Sequence, residues 1–129
     1  MKVFLGGTCN NSTWRDEIIP KLEELDIEYF NPVVEDWTKE AQKKEQIEKD
    51  VVCRIHLYVI TSLMTGVFSI AEAVQSSNTD KHTIFCVLRE GFDEFQLKSL
   101  DAVGDLIYDN NGIVTYSLDS VVEILSDIS

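Results

Sequence analysis

A continuous apolar run that breaks at small polar residues and resumes with helical spacing limits the fold of this chain more than any other feature. The stretch 56–74, HLYVITSLMTGVFSIAEAV, has that form. Leu57, Tyr58, Val59 and Ile60 read as a strand buried on both faces, and Thr61-Ser62 ends it. After the flexible Thr65-Gly66, a helix is expected from Ser69, with Ile70, Ala71, Ala73 and Val74 behind it. A strand, a short loop and a helix form the half-unit of a parallel α/β sheet, whose ligands sit beyond the carboxyl ends of the strands. Glu72 then falls in the first turn of a helix aimed at the ligand. There the positive end of the helix dipole holds a carboxylate ionised, which suits a nucleophile. The same residues also spell a capping box, Ser69-x-x-Glu72, in which the two side chains only satisfy backbone amides. Residues 56–74 alone leave both readings open.

The rest of the chain repeats the pattern. Residues 2–5 are a short apolar strand followed by Gly6-Gly7-Thr8, where two glycines allow a sharp turn or close approach to a ligand. This loop lacks the spacing of a Walker or dinucleotide fingerprint. A helix is expected over 13–25, with Trp14, Ile18, Leu22 and Leu25 on one face and Pro20 as a kink. Strand 27–30 ends at Asn31-Pro32, and 33–38 is loop, with Trp37 in no core period. A charged helix over 40–54 should turn Ile47, Val51 and Val52 inward. Strand 83–88 (TIFCVL) is apolar throughout, as in a sheet covered on both faces. A helix over 92–107 follows, with Gly104 a weak point, then a turn at 109–112, a strand over 113–116 and a helix over 121–128.

Five strands alternating with helices predict an α/β fold: a doubly wound five-stranded parallel sheet of order 2-1-3-4-5 in one domain over 1–129. Strands 1 and 3 then flank the switch point. The loops 6–12 and 61–69 face each other across one crevice, with 31–37 beside it. That convergence favours a site role for Glu72.

Charge narrows the function classes. With 129 residues, 11 Lys and Arg against 23 Asp and Glu, the net charge is −12. The bases are scattered, which argues against a nucleic acid polymer or an anionic membrane as partner. A small anion remains compatible, since helix N-termini and backbone amides bind anions without net positive charge. The three cysteines have no CxxC spacing, and with only His56 and His82 to assist them a zinc site is not expected. No apolar run reaches the roughly 18 residues of a membrane span. The first residues enter a strand directly, so a cytoplasmic location is expected.

VFLGGTCNNSTWRDEIIPKL, YFNPVVEDW and HLYVITSLMTGVFSIAEA, in that order and spacing, resemble the nucleoside 2-deoxyribosyltransferase-like family, which includes 2'-deoxynucleoside 5'-monophosphate N-glycosidases. The resemblance covers about 2–88. It implies a flavodoxin-like enzyme, without cofactor or metal, that cleaves or transfers at the N-glycosidic bond of a deoxynucleoside or nucleotide. The family's glutamate attacks C1' of the sugar, and Glu72 matches it. A second carboxylate on the preceding helix holds or protonates the base; Glu48 matches it by spacing, with Glu45 as runner-up. Gly6, Gly7, Thr8, Asn10, Trp14 and Arg15 lie in the loop that wraps base and sugar. Asn31 belongs to the Asn-Pro element, and Ser69 with the amides around Gly66 could hold a 5'-hydroxyl or phosphate. The family also closes its sites with neighbouring subunits, which implies a homodimer or larger assembly.

Several of these residues have plain structural readings as well. Trp14 shares a helix face with Ile18, Arg15 is either a solvated charge or a phosphate partner, and Glu45 and Glu48 lie on a charged helix. Asp36-Trp37, in a loop, is read as ligand contact. Ile55-His56 stands where the family usually has Ala-Asp, and His56 is expected to precede its strand as a satisfied, partly buried histidine. Beside the enzyme stand two rivals: an inactive ligand-binding protein of the same fold, and an adaptor whose Glu72 is only a cap.

Overall fold

The computed structural model describes residues 1–9 and 11–128. Its five strands are β1 (Val3–Gly7), β2 (Tyr29–Phe30), β3 (Ile55–Ile60), β4 (His82–Val87) and β5 (Ile113–Thr115). All pair in parallel, in the order β2-β1-β3-β4-β5. The helices α1 (Trp14–Glu24), α2 (Lys39–Ile47), α3 (Phe68–Ser77), α4 (Glu94–Asp109) and α5 (Leu118–Ile128) complete the α/β flavodoxin-like arrangement.

Side-chain alternation along the central strands divides the core into two layers. Leu5, Ile55, Leu57, Val59, Ile84 and Cys86 pack against Trp14, Ile18 and Leu22 of α1 and Val121 and Leu125 of α5. Phe4, Tyr58, Ile60, Phe85 and Val87 face the other way, onto Ala73 of α3 and Leu100 and Ile107 of α4. Every residue of β1 and β3 is buried, which is why those strands carry apolar side chains on both faces rather than alternating, with His56 the polar exception. Burial pushes the Cys86 thiol up to about 12, so it stays a neutral core side chain.

The structure departs from the expected elements at instructive points. β1 runs on through both glycines, because it pairs with β3 there, Gly6 opposite Tyr58 and Gly7 opposite Val59. A Cβ on Gly6 would lie 2.7 Å from the Tyr58 ring, and one on Gly7 (φ +117°) 2.1 Å from the Val59 carbonyl oxygen. β3 starts at Ile55, so His56 lies within the strand and not before it. α1 continues through Pro20, which is exposed, where water can reach the carbonyl that loses its donor. Gly104 is a packing position rather than a weak point: it is buried, and an added Cβ would stand 3.4 Å from Val114 of β5.

The largest departure is the expected helix over 40–54. α2 ends at Ile47 and passes into a π-helical turn, Glu48–Val52, closed by the Cys53 amide donating to the Glu48 carbonyl at 2.7 Å. Neither piece buries a residue. Ile47, Val51 and Val52, expected inward, are 50%, 69% and 44% exposed. The wider turn rotates Val51 and Val52 out of the α-helical period on which that expectation rested.

Candidate active site

A cleft of about 410 Å³ opens at the carboxyl ends of β1 and β3. Its floor is Phe4, Gly6 and Gly7; its walls carry Arg15, Val33, Trp37, Glu45, Phe68, Ser69 and Glu72. A smaller hollow of about 170 Å³ adjoins it, sharing Gly7, Cys9, Phe68 and Ser69 and adding Thr8, Thr65 and Gly66. The loops after β1 and β3 thus line one crevice, as the strand order requires.

Glu72 stands in the second turn of α3 and not the first, because the helix begins at Phe68, one residue earlier than expected. The capping box does not form: the residue before the helix is Val67, and no side chain caps the start. Glu72 is instead held by Lys49 of the π-turn, whose Nζ donates to Oε2 at 2.9 Å. Both side chains are mostly shielded, with 22% and 13% exposure.

The carboxylate that shares the cleft with Glu72 is Glu45. Burial, and after it the charge of Glu72, push the Glu45 carboxyl above its ordinary range, against the opposing pull of Lys49 and Arg15. Glu48, the better match by spacing, does not line this cleft. It turns to the amino end of the sheet, where Oε1 accepts from Lys2 at 3.0 Å and Oε2 from the Cys53 thiol at 3.7 Å. Glu45 and Glu48 lie three residues apart, yet only Glu45 lines the cleft.

Other expected site residues divide between cleft and scaffold. Trp14 is buried in the core and donates through Nε1 to the Thr8 carbonyl at 2.9 Å, so it is no stacking platform. Arg15 is not a solvated charge. It is buried, its Nε and Nη2 donate to the Leu5 carbonyl at 3.1 and 2.9 Å, and its Nη1 to the Thr8 carbonyl at 2.8 Å. Burial draws its pKa down. Its role here is to fix the backbone that leaves β1, while one edge of it faces the cleft. Thr8 braces the two loops against each other: its amide donates to the Val59 carbonyl and its Oγ1 accepts from the Thr61 amide at 3.0 Å.

Asn31 folds its own loop by accepting from the Val33 amide at 3.1 Å, and it delivers Pro32, Val33 and Val34 to the cleft rather than lining it. Asp36 is exposed and does not line the cleft, whereas the adjacent Trp37 does. Asn10 lies outside the described residues.

Sequence reasoning missed Lys49, whereas His56 is the satisfied histidine that was expected. The His56 ring is buried; Nε2 lies 2.6 Å from the Lys49 carbonyl and Nδ1 2.9 Å from Ser76 Oγ, which itself meets Thr83 Oγ1 at 2.7 Å. The carbonyl can only accept, so the proton sits on Nε2 and Ser76 donates to Nδ1. Burial pulls the His56 pKa down to about 4, which keeps the ring neutral. Among the described residues no group of three or more His, Cys, Asp or Glu side chains converges as a metal site would.

A family model described as nucleoside 2-deoxyribosyltransferase like matches residues 1–91. The chain belongs to that family. The match runs from β1 through β4 and takes in every residue named above as lining the cleft; α4, β5 and α5 fall outside it. No curated protein matches the chain, and no solved structure does. No helix among the described residues is long and apolar enough to cross a membrane.

Proposed function

We propose that the protein cleaves the N-glycosidic bond of a deoxynucleoside or its monophosphate through a covalent sugar ester on Glu72. The observation that carries this reading is the pair of unlike carboxyl groups in one cleft. Glu72 is matched to an ammonium, whereas Glu45 is driven toward its protonated form by burial and by Glu72 itself. Two carboxyl groups pushed apart in this way divide the labour of nucleophile and acid.

In the first step Glu72 Oε1 bonds to C1' while the C1'–N bond breaks and its electron pair leaves with the base. The Glu45 carboxyl supplies the proton that the departing base takes up. Water then attacks C1', the ester bond breaks back to the Glu72 carboxylate, and the water proton returns to Glu45. A second base in place of that water gives transfer instead of hydrolysis. Trp37, Val33 and Phe68 offer the base an apolar, partly aromatic enclosure. Exposed Val34 and Phe68 in the lining of the cleft support a homo-oligomer that covers the site. Three free thiols fit a cytoplasmic setting.

The test is release of free base from a panel of deoxynucleosides and monophosphates, with and without an acceptor base. Wild type should release base and gain the mass of the sugar from a 2-fluoro deoxyribosyl analogue. Glu72→Gln should do neither, since its amide cannot form the ester. A wild type that releases no base, but melts higher with a nucleotide, is a binding protein of this fold.

A further inference from the structure

Lys49 reaches Glu72 from behind. A separate hollow of about 430 Å³ lies on the far side of that carboxylate, lined by Lys49, His56, Tyr58, Gln75, Ser76 and Lys81. Glu72 borders both this hollow and the substrate cleft, but Lys49 does not line the cleft. The ammonium thus occupies Oε2 from the rear and leaves Oε1 for chemistry at the front.

The π-turn that carries Lys49 has no buried residue to fix it, yet its backbone is fastened at the position that matters. His56 Nε2 donates to the Lys49 carbonyl at 2.6 Å. Through Nδ1, the same ring is tied to Ser76, one turn along α3 from Glu72. Lys49 is therefore joined to α3 twice, by its side chain at Glu72 and by its backbone through His56 and Ser76. Thr83 of β4 closes the chain onto the sheet. Such a closed set of bonds fixes a carboxylate oxygen in a way that a flexible surface lysine cannot.

We infer that Lys49, held by His56, is the positioning residue of Glu72: it locks Oε2 and aims Oε1 at C1' of the sugar. This rests on the glycosyl-transfer reading above. In the ester the same ammonium stays on Oε2, now the carbonyl oxygen, so the ester plane is held for the attack of water.

The experiment compares wild type, Lys49→Met, Lys49→Arg and His56→Gln in base release, with circular dichroism as the check on folding. Misplacing a reacting group by about 1 Å can cost about 100-fold, so Lys49→Met should lose about 100-fold in kcat with little change in KM. Lys49→Arg should recover most of that loss, and His56→Gln should lose about 10-fold. The second readout needs no turnover: the Glu45 carboxyl carbon followed by NMR against pH. Lys49 and Glu72 act on Glu45 in opposite senses, so its titration should move up in pH in Lys49→Met and down in Glu72→Gln. A Lys49→Met enzyme with wild-type kcat, or a Glu45 titration unmoved by Lys49→Met, overturns the inference. A wild type that releases no base overturns the glycosyl-transfer reading and the role of Lys49 in it, while the Glu45 titration still decides whether Lys49 and Glu72 are paired.

Discussion

The two sides of the crevice are built from different kinds of interaction. One side is the sheet, where β1 and β3 bury every residue and the core layers close on them from both faces. The other runs from Lys39 to the end of the π-turn at Val52 and buries nothing. It is fastened at points: Lys2 to Glu48, Lys49 to Glu72, the Lys49 carbonyl to His56, and Lys44 over the Phe30 ring. Apolar burial is insensitive to pH and salt, whereas ionic and hydrogen-bonded ties are not. The floor of the site is thus set by folding, and the wall carrying Glu45 and Lys49 is set by electrostatics.

The sharpest way to break that contrast is to truncate one apolar residue on each side. Leu57 of β3 is fully buried, and Leu57→Ala should cost about 2–5 kcal/mol by urea denaturation, the range for cavity formation in a packed core. Val51 of the π-turn is 69% exposed, and Val51→Ala should stay within about 0.5 kcal/mol. If the two cost the same, the π-turn is packed in solution and the wall is not held by charge.

The same contrast separates what the sequence made legible from what it did not. Strand order, both core layers and the meeting of the two loops followed from the apolar runs of β3 and β4, where period and burial agree. That Glu72 would lie at the cleft was legible for the same reason, since it follows the end of β3 at a short distance, whereas the pairing of Gly6 and Gly7 with β3 was not. Glu45 was legible only as the second choice after Glu48, and Lys49 not at all, because on so charged a helix every polar side chain reads as a surface residue and no periodic signal marks the π-turn. The shared face with Ile18 made the core place of Trp14 legible, but not the hydrogen bonds by which Trp14 and Arg15 hold the carbonyls of Leu5 and Thr8. Such partners leave no mark in composition or spacing.

Acid should loosen the tie between the sheet and the wall that His56 of β3 makes to the Lys49 carbonyl. An unfolded histidine takes up its proton near pH 6.5, but burial holds His56 neutral down to about 4. Between those values the unfolded state binds a proton that the folded state refuses. This share of stability is therefore complete above about pH 6.5 and is lost as the pH falls toward about 4. The loss from this one group amounts to about 3 kcal/mol at most, from the shift and the value of one pKa unit. Urea midpoints for wild type and His56→Phe over that window isolate it, since other acid-sensitive groups are common to both. The difference between the two proteins should shrink or reverse as the pH drops; a constant difference would mean that His56 titrates normally.

The smallest expected effect discriminates best between a catalytic and a capping role for Glu72, because it compares the start of α3, at the cleft, with the start of α4, away from it. Asp93 caps α4 with a full box: its carboxylate accepts from the Gln96 amide at 2.8 Å, and the Gln96 side chain accepts from the Asp93 amide at 3.0 Å. Asp93→Ala should cost about 1 kcal/mol, the usual worth of such a cap. Ser69 makes no cap bond, because α3 already begins at Phe68 and Glu72 is turned to Lys49. Ser69→Ala should therefore change the thermal midpoint by no more than an ordinary surface substitution, within about 0.5 kcal/mol. If it costs as much as Asp93→Ala, the Ser69–Glu72 box forms in solution. Glu72 would then be occupied at the backbone of its own helix, unavailable to Lys49 and to the sugar alike.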